Sequence, residues 1–73
     1  SIDEQNIYIY SEKELNDLGV IIKDSFGHII YYNVSTVSEC TTYSIDITDF
    51  RKGYYTIQII EASNYLIGSI HIE

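Results

Sequence analysis

Two histidines, one cysteine and a scatter of serines and acids are the side chains of this chain that could do chemistry. His28 and His71 are the imidazoles and Cys40 is the sole thiol. A zinc centre takes three or four ligands in a preformed geometry. Neither histidine belongs to a His, Cys and carboxylate spacing of that kind, and both read as surface side chains. A nucleophilic serine or cysteine needs a neighbouring base and a third group to orient it, and no nucleophile-elbow pattern is present. Asp46 and Asp49 lie either side of Thr48, where strand-end carboxylates can hold calcium. Asp46 is expected inside a strand, however, and no dense Asp-x-Asp run surrounds it. Asn33-Val34-Ser35 matches the glycosylation triplet at a strand end, and Arg51-Lys52 reads as a solvated corner. The residues therefore point to no catalytic group, no metal ligand and no cofactor, and the chain is not expected to be an enzyme.

With 73 residues the chain is expected to form one domain, residues 1–73. A domain of this size buries only about 60% of the surface its unfolded chain exposes, so its stability is marginal. Hydrophobic residues are 45% of the total and aromatics 14%, enough for one core but too little for a core and a deep substrate cavity. Cys40 has no intrachain partner, so no disulfide staples the fold. The net charge of -7, from 11 acidic and 4 basic residues, repels phosphate backbones and anionic headgroups, which argues against nucleic acid. No apolar run approaches the length of a membrane span. No signal peptide is legible, and Ser1 is expected to mark a processed or truncated start.

The elements that must position these side chains are strands. β-branched and aromatic residues dominate and proline is absent. Strands are expected at 6–10, 18–24, 28–34, 43–47, 54–60 and 65–72. Residues 11–17 are expected to be a loop with at most one helical turn, and Ser35 to Thr42 a mobile polar loop. Within VIIKDSFGHIIYYNV, Asp24-Ser25-Phe26-Gly27 fits a type I turn closed by glycine in the left-handed region. That turn pairs Ile22 with Ile30, Val20 with Tyr32 and Leu18 with Val34, placing all six in the core. The same parity assigns Ile7, Ile9, Tyr43, Ile45, Ile47, Tyr55, Ile57, Ile59, Leu66, Ile70 and Ile72 inward, with Phe50 folded back as a plug. Lys23, Ser44, Asp46, Thr56 and Gln58 are expected outward. The outward face also carries Tyr8, Tyr10, Ile21, Ile29, Tyr31, Tyr54, Ile60, Tyr65 and Ile67. The fold class is all-β, an Ig-like antiparallel sandwich of six to seven short strands.

From Leu18 to Glu73 the chain resembles a family of small secreted Ig-like domains of unknown function from gut Bacteroidetes. The resemblance rests on the hairpin VIIKDSFGHIIYYNV, on YSIDITDFRKGYYTIQI with its aromatic plug, and on YLIGSIHIE with Gly68 inside the last strand. It implies a β-sandwich, export to the periplasm or cell surface, and no known enzymatic activity; it supplies no functional residues. The chain also shares its hairpin turn and Gly-x-Tyr strand with the C-terminal sorting domains of the type IX secretion pathway. Those domains end in basic residues, whereas the tail here, Ser69-Ile70-His71-Ile72-Glu73, is acidic.

A secreted or periplasmic binding or accessory module is thus the expected function. A sorting module of a secretion pathway is the alternative. Tyr8, Tyr10, Tyr54 and Tyr65 are the candidate interaction surface, since tyrosine joins apolar area to a polar tip. The expected partner is a protein, or a second copy met through an edge strand. A carbohydrate stacked on the same tyrosines is the runner-up.

Overall fold

The computed structural model describes residues 5–73. Six strands follow one another: β1 (Asn6–Ser11), β2 (Leu15–Lys23), β3 (Ile29–Val37), β4 (Thr41–Asp46), β5 (Gly53–Glu61) and β6 (Asn64–Ile72). They form two antiparallel sheets, a small one of order β1-β4 and a large one of order β3-β2-β5-β6. The inward side chains of the two meet in one core. Ile7, Ile45 and Ile47 from the small sheet and its exit pack with Leu18, Val20, Ile22, Val37 and Tyr55 from the large one. Phe50 folds back against this cluster, as its position after β4 implies, and its ring lies 5.6 Å from that of Tyr55. The Tyr55 hydroxyl donates to the carbonyl of Arg51 at 2.5 Å, tying the start of β5 to the corner before it.

The β2–β3 turn forms as its residues dictate. The Gly27 N–H donates to the Asp24 carbonyl at 3.1 Å and the Asp24 N–H to the His28 carbonyl at 2.9 Å. Gly27 has φ +85°, a region closed to most side chains. Replacing Gly27 with Val should cost about 1 kcal/mol or more, read as a lower urea midpoint. A neutral substitution would contradict the turn. The Asp24 carboxylate accepts from the N–H groups of Phe26 and His28, each at 2.9 Å. The His28 N–H is the first cause of a carboxyl held below the usual Asp range, opposed by partial desolvation and helped by Phe26. A depressed carboxyl contributes stability above its unfolded pKa and loses it as pH falls through the folded value. An NMR titration should therefore place the Asp24 midpoint below the ordinary 3.8; a midpoint at or above it would show the carboxylate unbonded.

Beyond the turn the register departs from expectation. Lys23 pairs with Ile29 but Ile22 pairs with Tyr31, so Ile30 is an extra residue on β3, a β-bulge. One extra residue reverses every side chain that follows. Ile30, Tyr32 and Val34, expected in the core, are 39%, 65% and 47% exposed, and this corrects their assignment. Tyr31, expected outward, packs against the core. A second irregularity, between Leu15 and Leu18 on β2, falls where Asp17 sits at φ 55°. It restores the count, so that Leu15 and Val37 both face inward as partners.

Two further expectations are corrected. Leu66 has inward parity opposite Ile59 but is 67% exposed, because the two-stranded sheet does not extend over that end of the four-stranded one. Ile57 and Ile70, expected to be nearly fully buried, are partly buried against the core. The segments expected as loops are shorter than proposed: β2 begins at Leu15, β3 runs on to Val37, and β4 starts at Thr41.

Candidate interaction surface

The groups with intrinsic chemical reactivity lie apart. His28 stands at the turn with Nδ1 3.4 Å from the Asp24 carboxylate. His71 is on β6, its ring stacked on Tyr54 with centroids 4.2 Å apart and planes 9° from parallel. Cys40 is exposed in the β3–β4 loop. Among the described residues no three His, Cys, Asp or Glu side chains gather as a metal site. Asp46 accepts from the Thr48 N–H at 2.9 Å and from the Thr48 hydroxyl, which holds its carboxyl below the usual range and commits it to the turn. The most connected polar group is Tyr31, Asn33 and Tyr43. Tyr31 and Tyr43 share a hydroxyl–hydroxyl bond of 2.5 Å, and the Asn33 amide donates to Tyr43 at 2.7 Å. Burial, and then the Tyr43 bond, push the Tyr31 phenol up to about 12. A phenol shifted upward holds its proton more tightly, and the trio joins β3 to β4.

The four candidate tyrosines occupy two outer surfaces. Tyr8 and Tyr10 pair with Ser44 and Thr42 on the outer side of the small sheet. Tyr54 and Tyr65 lie on the outer side of the large sheet, at opposite ends of the β5–β6 hairpin, paired with His71 and Ile60. Tyr10 and Tyr65 do approach a common feature, a groove of about 500 Å³ whose floor includes Ile9, Leu18, Ile59 and Leu66.

A larger surface emerges on the large sheet because the Ile30 bulge turns β3 over. The registers align its outer side chains in rows across four strands. One row is Val34, Gly19, Ile60 and Tyr65; the next is Tyr32, Ile21, Gln58 and Ile67. A third runs from Ile29 and Ile30 through Lys23 and Thr56 to Ser69. Tyr54 and His71 close the sheet at that end. Lys23 is the one charged side chain in the three rows, and no Asp or Glu stands there, on a chain of net charge -7. An aliphatic and tyrosine face of this extent on so small a molecule is the kind of patch that marks an interface. Only Tyr65 of the four tyrosines is part of these rows. The signal in the sequence was the run Ile29-Ile30-Tyr31-Tyr32, which is apolar at both parities.

The chain matches, over residues 1–72, the family model described as a domain of unknown function, DUF3244. The chain belongs to that family. No curated protein and no solved structure matches this DUF3244 domain. The family match covers both sheets, so the bulged β3 and the outer face lie within the DUF3244 unit and not on an appendage.

Proposed function

We propose that this DUF3244 domain is an exported, Ig-like module that works by protein contact, without catalysis, through the outer face of its four-stranded sheet. The observation that carries the reading is the charge distribution. Nine acidic residues lie between Gln5 and Glu73, yet the rows spanning Val34 to Tyr65 and Tyr32 to Ile67 contain none. Solubility alone favours the opposite arrangement, with charge on every open face. Exposed Tyr32, Val34, Tyr65 and Ile67 supply the aromatic and aliphatic anchors of an interface core. The Ig-like assignment is supported by strand order, with β1 beside β4 and β3-β2-β5-β6 opposite, which parallels strands B, E and C′-C-F-G of such sandwiches. The Tyr55 hydroxyl bonded to the backbone four residues upstream parallels their tyrosine corner. Export is supported by the resemblance to secreted domains alone.

A photo-crosslinking amino acid tests the contact. p-Benzoylphenylalanine in place of Tyr32 should form protein adducts in cells that produce the domain, while the same residue in place of Ser44, on the outer side of the small sheet, should not. Equal adducts at both positions, or none at Tyr32, would contradict a contact through this face.

A further inference from the structure

We propose that β6 is a dimerisation edge, pairing antiparallel with β6 of a second copy so that two four-stranded sheets become one of eight strands. The inference rests on the reading of this domain as a protein-contact module and names one partner as the domain itself. Among the described residues β5 is the only strand beside β6. Their ladder runs from Gly53 and Ile72 to Glu61 and Asn64 without a register break. Natural edge strands are blunted by shortness, proline, lysine or a bulge. β6 has nine residues and carries no proline, no bulge and no Asp, Glu, Lys or Arg. The opposite edge strand, β3, is interrupted by the bulge at Ile30. For copies that each carry -7, a strand without an acidic residue is also where two can meet without opposing carboxylates.

Gly68 gives the register. A glycine in the middle of a strand weakens it and often marks close approach of another backbone. The fold itself does not demand one here: a Cβ at Gly68 would meet only Ile57 Cγ2, at 3.4 Å, and its φ is not positive. Gly68 is also the midpoint of Asn64–Ile72. In the tight β5–β6 hairpin, Glu61 and Asn64 form the hydrogen-bonded pair beside the loop, and the alternation turns the N–H and C=O groups of Tyr65, Ile67, Ser69 and His71 away from β5. A two-fold axis through Gly68 then sets Ile67 opposite Ser69 and Tyr65 opposite His71, each pair exchanging backbone bonds. On the inner side Leu66 meets Ile70 of the second copy, which covers the most exposed leucine of the chain. The outer faces of the two sheets merge into one.

Sedimentation equilibrium over a concentration series, with disulfide trapping, tests this. The wild-type domain should rise from 8.4 kDa toward twice that mass. Ile67→Lys should weaken association by about tenfold or more, because it sets two like charges diagonally across the axis and removes the isoleucine that faces Ser69 of the second copy, with an unchanged far-ultraviolet spectrum. Val34→Lys, on β3, should leave the dimer intact. With Cys40→Ser in the background, Gly68→Cys should oxidise to a linked dimer, because facing residues at such an axis lie about 4.5 Å apart, whereas Ser44→Cys should not. A monomer at every concentration, or a dimer dissolved by Val34→Lys but not by Ile67→Lys, would overturn the edge pairing. Adducts at position 32 that persist in a strictly monomeric protein would sink the dimer alone, and a dimer without such adducts would sink the outer-face contact alone.

Discussion

Truncating Ile22 to Ala should destabilise the domain by about 2–5 kcal/mol, enough to leave a protein of this size largely unfolded at room temperature. Ile22 is fully buried where the two sheets meet, between β3 and β5 partners Tyr31 and Ile57. The neighbouring Ile30→Ala, at the bulge, should cost less than about 1 kcal/mol, because part of that side chain is already in water. The pair is worth measuring together by urea denaturation. Without a bulge the two isoleucines would be core partners with similar costs. Equal losses would therefore show that β3 keeps its unbulged register.

Replacing Tyr43 with Phe should cost about 1–3 kcal/mol, because it strips a shared partner from two half-buried groups, the Tyr31 hydroxyl and the Asn33 amide. Tyr31→Phe should cost less, since Asn33 retains Tyr43. The same trio sets the behaviour in base. The Tyr31 phenol is raised from 10.0 to about 12, so the unfolded chain releases its proton first as pH rises. The stabilisation linked to this group is complete below about pH 10 and is lost as pH rises toward 12. Thermal unfolding followed against pH should show the midpoint falling through that window, and the fall should shrink in Tyr31→Phe. A midpoint independent of pH there would mean that burial and the Tyr43 bond do not raise the Tyr31 phenol.

Much of the architecture was legible because local chemistry and alternation agreed. Asp24 and Gly27 mark a turn that forms, and the alternating isoleucines of β1, β4 and β5 face inward as their parity requires. The parity of β3 was not legible. Ile29-Ile30-Tyr31-Tyr32 offers an apolar face either way, so no pattern reveals an extra residue. The bulged solution even turns Asn33 and Ser35 inward, and it is the Tyr43 hydroxyl, ten residues away, that makes Asn33 acceptable there. Leu66 fails for a different reason. Its parity is right, but whether anything lies over it depends on how many strands the facing sheet contains, and the small sheet has two. The interaction surface was legible only as an excess of tyrosine. Which tyrosines share a side depends on pairing, and pairing separates Tyr8 and Tyr10 from Tyr54 and Tyr65.

The exposed face depends on which way β3 turns its side chains, and thiol labelling reads that directly. In a Cys40→Ser background, Tyr32→Cys and Val34→Cys should react with a maleimide at nearly the rate of an unfolded control, while Tyr31→Cys, packed against the core, should react much more slowly. Rapid labelling at position 31 with protection at 32 and 34 would return β3 to its unbulged register and remove the uncharged face on which the proposed contact stands.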